Sequence, residues 1–518
     1  MNNQDKNKTL QRCVGFAGIA FLSLIIEYIL MYHSDASGIL QETLFAPEKR
    51  NKICLLVTVI LILFGMTVLF AYTYTKKVRA EFIAISIILF FGIAISVFSP
   101  VMNGFDESAH FFKTLATIDG KMFNYDSYSY EISDSYIALR DNYLAKWWIP
   151  SEFKGLWATS KTYVEALPNA YAQATYPFYG YLFCCTGVIV GRILHLPVGV
   201  VYILGRIFNL TGYAAMIYAS FRILPEKAKG FKAILLMFSC MPGILFVAAH
   251  YSQDGVVYAL TAILVALFLK MYYGDRILKR DFTIFAVLFI LLVPLKFPYI
   301  CLGLLLFFLP KDKFSFKVPY IWIALIAIAA LAIAFLWIVF VSSGFHEPRI
   351  ENVDGPKQIK YMLTHLPEFA KTSVFTIFHT LPSYFFNTMR IAGGYDIYTS
   401  AAAGIIFSIL SLIIAFLYAG KLEISGVVKI LLIPVILLII AGNVVSLYAS
   451  YNTVGENKYI QGVQVRYFYQ LFLLLPIIMS GRIRFAGKCA DETDCGRAIM
   501  FILVWLTWFC FGFVAFYV

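Results

Sequence analysis

The chain has 518 residues, of which 60% are hydrophobic and 14% charged, with a formal net charge of +12. A soluble chain of this length divides into several cores separated by polar surface. Here apolar runs of about twenty residues, enough helix to cross roughly 30 Å of hydrocarbon, recur from end to end, and a soluble globular protein is excluded.

The basic residues do not gather on one domain, so a nucleic-acid-binding face has no support. They occupy short gaps between apolar runs: KKVR after Thr75, PEKAKGFK after Leu224, GDRILKR after Tyr273, PKDKFSFK after Leu309 and GRIRFAGK after Ser480. That is the distribution of loops kept on the cytoplasmic side. The nine cysteines form no framework. Cys13, Cys54, Cys240, Cys301 and Cys510 lie in apolar runs and read as small hydrophobes; the Cys184–Cys185 and Cys489/Cys495 spacings fit no common metal motif. Lys6, Lys8 and Arg12 precede the first run with no small-residue cleavage site, the pattern of an uncleaved first helix.

In chain order the expected spans are about 13–32, 53–74, 80–99, 199–222, 231–249, 254–273, 282–295, 297–310, 318–342, 396–419, 427–449, 466–480 and 497–517. The pieces at 282–310 are short and separated by LKFPY, as in a broken helix. YPFYGYLFCCTGVIVGRILHLP (Tyr176–Pro197) is apolar enough to span, but a span there would turn the later basic loops outward. It is therefore placed as a juxtamembrane or re-entrant helix. The expected architecture is all-α, a polytopic protein of about thirteen spans with the N-terminus cytoplasmic and the C-terminus extracytoplasmic. It divides into a three-span region (1–99), a large extracytoplasmic loop carrying an acidic motif (100–198), a membrane core (199–342), a second extracytoplasmic loop (343–395) and a C-terminal membrane region (396–518). Tyrosines and tryptophans crowd the first loop (Tyr125, Tyr128, Tyr130, Tyr136, Tyr143, Trp147, Trp148, Trp157), as an interfacial belt or as stacking platforms for a sugar or lipid.

This arrangement collects unusual polar residues on one side. FDESAHFF (Phe105–Phe112) follows an apolar span, and in a helix Asp106 or Glu107 shares a face with His110. Two readings stand: acids that cap a helix N-terminus, or a carboxylate beside the bilayer acting as general base. Asp254, after Gln253 in HYSQDG, opens a span either as a cap or as a group that shapes the site. Lys296, in LKFPY with Tyr299, sits at a proline-flanked break where an ammonium needs an anion or must snorkel outward. Arg466, in GVQVRYF between Gln464 and Tyr467, is suited to bidentate phosphate contact or again to snorkelling. No nucleotide-binding loop, zinc-protease motif or nucleophile elbow occurs, no cofactor is implied, and no ligand spacing supports a divalent metal.

The runs SPVMNGFDESAHFFKTLATIDGK, YPFYGYLFCCTGVIVGRIL, LGRIFNLTGYAAMIY, MPGILFVAAHYSQDGVVYALTAILVALFL, PLKFPYICLGLLLFFLP and GVQVRYFYQLFLLLPI, in this order, resemble domain-of-unknown-function family 2142, a bacterial family of membrane proteins, from about Ser99 to Ile478. Phe105 and Gln253 stand where that family tends to have proline, and Val465 where it has glycine. The family is similar in layout to the GT-C integral-membrane glycosyltransferases. That resemblance implies transfer of a sugar from a polyprenyl-phosphate donor to a cell-envelope glycan or lipid acceptor at the outer face of the plasma membrane. It further implies Asp106 or Glu107 as base, with Lys296 and Arg466 on the lipid phosphate. Two alternatives remain: a lipid-linked glycan transporter or flippase, and a non-catalytic envelope-assembly protein.

Overall fold

The computed structural model describes residues 3–33, 60, 63–68, 78–121, 131–143, 163–165, 176–340, 353–387, 401–420, 422–456, 458–481 and 495–517. Within these residues the apolar runs fold as helices. In chain order these are α1 (Asn3–His33), α2 (Ala80–Phe98), α3 (Glu107–Ile118), α4 (Asp134–Tyr143), α5 (Leu182–Ile193), α6 (Val198–Ile223), α7 (Lys229–Ser239), α8 (Pro242–Ala248) and α9 (Asp254–Tyr273). There follow α10 (Lys279–Leu295), α11 (Pro319–Phe340), α12 (Gly355–Thr364), α13 (Leu366–Asn387), α14 (Ala401–Ala419), α15 (Gly426–Tyr451), α16 (Leu471–Ile478) and α17 (Gly496–Tyr517). Two three-residue strands, Glu131–Ser133 and Tyr163–Glu165, form an antiparallel ribbon between α3 and α5. The protein is a helical membrane protein.

By length and composition α2, α6, α9, α11 and α15 can each cross a membrane, and α7 with α8, which meet at a 67° bend, form a broken span or a re-entrant loop. The break falls at Cys240–Met241, where Pro242 has no amide hydrogen to continue the helix of α7. The expected count of about thirteen goes beyond what these lengths establish. Further apolar stretches lie within α1 (Cys13–Ile26), α14 (Gly404–Ala419) and α17 (Ala498–Phe509), and Phe297–Phe308 forms a 3-10 helix. Most of the expected span at 53–74 and much of both long loops lie outside the described residues.

The Tyr176–Pro197 segment becomes a single 3-10 turn (Phe178–Tyr181) and the 12-residue α5, about 18 Å long and short of a bilayer's hydrocarbon. It folds back on α6 so closely that a side chain at Gly187 would begin 2.4 Å from the carbonyl oxygen of Leu204. Centrally, α9 is 89% buried along its apolar stretch, whereas α11, at 17%, shows most of its surface outward. α9 packs between α6 and α10, and α6 packs on α2. At 20 residues, α9 is about 30 Å long. Its first residue, Asp254, lies at the end that also holds Asp106, Lys296 and Arg466; its last leads into the basic loops, where Ile277 bridges to Phe314.

Candidate active site

Four charged side chains from four distant segments meet at the end of the bundle where α9 begins. Asp106 immediately precedes α3 with a left-handed backbone (φ 53°), and its side chain makes no capping hydrogen bond to that helix. Its carboxylate instead accepts a 2.6 Å hydrogen bond from Arg466 Nη2. Arg466 lies in a 3-10 turn (Val465–Phe468) after α15, and its Nη1 is 3.6 Å from Asp254 Oδ2. The other Asp254 oxygen accepts from Lys296 Nζ at 2.9 Å. Lys296 sits where α10 ends: Pro294 lies inside that helix, and the backbone then swings to φ −151° before continuing as a 3-10 helix, Phe297–Phe308. Two acids and two cations are thus chained in the order Asp106, Arg466, Asp254, Lys296.

Aromatic rings wall this chain. Lys296 Nζ stands 4.0 Å from the centre of the Tyr467 ring, and the Arg466 guanidinium lies over Phe105 at 5.0 Å and Tyr467 at 5.3 Å. Such contacts stabilise a cation withdrawn from water. Arg466, Asp254 and Lys296 are buried, with side-chain exposures of 4%, 6% and 9%; Asp106 is the accessible member, at 24%. Arg466 Nε has no hydrogen-bond partner among the described residues.

Glu107 does not join the group. It faces Arg206 of α6, whose Nε and Nη2 donate to its two oxygens at 2.8 and 2.7 Å. Each carboxylate oxygen takes one further bond, from the amides of Tyr251 (3.0 Å) and Gly104 (2.9 Å). The remaining guanidinium hydrogens go to the carbonyls of Ser96, Ser99 and Pro100, so all five donors are used. Burial raises the Glu107 carboxyl, but the charges of Arg206 and His250 and these hydrogen bonds hold it down at about 2. A carboxylate so engaged is a structural anchor.

His110, one turn on, bonds the Tyr181 hydroxyl through Nδ1 at 2.7 Å and stacks on Tyr176. Burial pushes it down to about 4, against the opposing pull of Asp106, so it is neutral near pH 7. Gln253 donates to the Leu295 carbonyl at 3.2 Å, beside Lys296. The Tyr299 hydroxyl bonds Gln470 at 2.5 Å and the Tyr467 carbonyl at 2.7 Å, bracing the Arg466 turn from behind. The Gln253 and Gln464 side-chain oxygens are buried without partners among the described residues. Sequence reasoning missed the anchoring role of Arg206; its signal was an arginine inside an apolar span, which requires an acid from elsewhere. Among the described residues no group of three or more His, Cys, Asp or Glu is placed to hold a metal ion.

A polytopic helical protein with buried acids and cations chained at one end of its central helix is the class that fold and site define. Within that class, the chain belongs to a family described as predicted membrane proteins, DUF2142, whose model matches residues 89–475, more than half of the sequence. The matched stretch contains all four members of the charged chain. No curated protein and no solved structure matches.

Proposed function

We propose that the protein is a membrane glycosyltransferase that moves a sugar from a polyprenyl-phosphate donor to a hydroxyl of a cell-envelope glycan or lipid, at the outer face of a plasma membrane. The supporting observation is the accessible Asp106 carboxylate 2.6 Å from Arg466, with Lys296 two links away through Asp254. Asp106 takes the proton of the acceptor hydroxyl as its oxygen bonds the anomeric carbon. The bond from that carbon to the phosphate oxygen breaks, and its electron pair leaves with the polyprenyl phosphate. Arg466 and Lys296 stabilise the charge growing on that phosphate; such preorganised groups contribute several kcal/mol to lowering a barrier. Asp254 keeps the two cations in place, neutral His110 shapes the wall, and Glu107 holds the turn that presents Asp106. The basic loops at the far end of α9 support placing this site on the extracytoplasmic side.

The test is transfer from a short polyprenyl-phosphate sugar by purified protein in nanodiscs. Asp106→Asn is expected to lower the rate by roughly 10²–10⁴-fold, the range for loss of a general base. Full activity in that variant would remove the mechanism. Movement of the intact lipid-linked sugar across the bilayer, unimpaired by Asp106→Asn, would favour the transporter reading instead.

A further inference from the structure

We infer that Tyr202, Arg206 and Asn209, on one face of α6, are positioning residues that fix where Asp106 and Asp254 stand relative to each other while touching neither. The inference rests on taking the chain of four charges as the working site. The three residues fall at i, i+4 and i+7, one stripe along a helix. Each holds main chain from a segment that carries an acid.

Tyr202 accepts the amide of Met102 on its hydroxyl at 2.8 Å. Arg206 binds the carbonyls of Ser96, Ser99 and Pro100 and, through Glu107, the amide of Gly104. Together they define the path from the end of α2 to the start of α3. That path includes two left-handed non-glycine residues, Met102 (φ 54°) and Asp106 (φ 53°). Such a backbone persists where its surroundings over-determine it, and here the surroundings are the polar groups of α6. One turn further, the Asn209 amide donates to the carbonyls of Ala248, His250 and Ser252 at 3.3, 2.8 and 3.1 Å. This is the turn that ends in Asp254.

Gly205 lies on the same face. A Cβ there would come within 1.8 Å of the Tyr251 hydroxyl oxygen, so only glycine lets that ring lie against α6. In that place Tyr251 donates its hydroxyl to the Tyr202 carbonyl at 2.9 Å and its amide to Glu107 at 3.0 Å, joining the two acid-bearing segments. A single helix face therefore serves as the common reference for both acids.

The test uses the full chain in nanodiscs, with a carbodiimide that labels carboxyl groups and mass spectrometry to read each site. Asp281, buried at the far end of α9 and paired with Lys270 at 2.9 Å, is the internal reference. Tyr202→Phe removes one hydroxyl from a packed ring and is expected to speed labelling of Asp106 by about 2–10-fold, the effect of one hydrogen bond on local opening. Asp254 and Asp281 keep their rates in this variant. Asn209→Leu is expected to speed labelling of Asp254 while Asp281 is unchanged. If all three carboxylates accelerate together, or if Asp106 and Asp254 do not respond in variants whose melting temperature has dropped, the stripe only packs and the inference fails. Because labelling reads geometry, a protein that transfers no sugar but shows this selectivity would sink the proposed reaction and leave the positioning role standing.

Discussion

Asp106 and Glu107 are neighbours in sequence with different partners, Arg466 and Arg206, and the difference is one of direction. Adjacent helical residues point about 100° apart, and the left-handed start at Asp106 turns its carboxylate toward Arg466 while Glu107 faces into α6. Removing one partner of a buried, fully hydrogen-bonded pair costs about 3–5 kcal/mol, so Glu107→Gln is expected to lower the melting temperature sharply. Asp106→Asn removes a partly exposed group and should cost about 1.5–3 kcal/mol, the range for one charged hydrogen bond. Thermal unfolding of both variants in one detergent decides the order. Acid sensitivity follows from the same groups. His110 and His250 are both pushed by burial from 6.5 to about 4. The unfolded chain therefore binds more protons than the folded one between these values, and stability falls as pH drops from about 6.5 to about 4. The depressed Glu107 carboxyl, near 2 against an ordinary 4.5, extends the loss further into acid. Replacing both histidines by glutamine is expected to flatten the melting-temperature profile between about pH 6.5 and 4.5 and to leave the fall below about pH 4.5.

Among the elements, those that deliver site residues are interrupted ones. α10 stops at the Pro294–Lys296 break and its continuation is a 12-residue 3-10 helix, long for that geometry, in which runs above three or four residues are uncommon. Pro298 of this break packs within 3.0 Å of where a side chain at Gly442 of α15 would begin. The sequence showed the break, because LKFPY divides two apolar pieces too short to span separately. It also showed that Asp106, Asp254, Lys296 and Arg466 stand at the ends of apolar runs. It could not show who pairs with whom, because the partners are 360 positions apart for Asp106 with Arg466 and 99 for Glu107 with Arg206. Helical spacing grouped Glu107 with the site for lack of that information. Close backbone packing adds a prediction here. Gly187→Ala would force α5 off the Leu204 carbonyl, since overpacking a tight contact costs about 1–3 kcal/mol. The variant should unfold at a lower temperature and expose α5 to protease.

At the scale of the molecule, the membrane character was legible from apolar run length, and α2, α6, α9, α11 and α15 follow the expected boundaries to within two residues. α9, which carries Asp254, Thr261 and Lys270, is the less apolar of the two, whereas α11 carries no charged residue; packing leaves the first 89% and the second 17% buried, the more apolar run facing outward. The proposed topology also makes a prediction. Lys121, two residues past the Asp119 that pairs with Arg192 of α5, and Lys317, three residues past the Phe314 that bridges to Ile277 beyond the last turn of α9, are both exposed. Single cysteines at these positions should react with an impermeant thiol reagent from opposite sides of sealed vesicles, Lys121→Cys from outside. Labelling of both from one side would overturn the sidedness.

The chain of two carboxylates and two cations sums to zero charge. Such an arrangement projects little field beyond about 8–10 Å in physiological salt, so it cannot draw an anionic headgroup from a distance. On the proposed reaction, a donor phosphate would be recognised only after arrival, by exchanging partners with Asp106 or Asp254. Its capture rate is then governed by diffusion within the leaflet, and ionic strength should leave that rate almost unchanged.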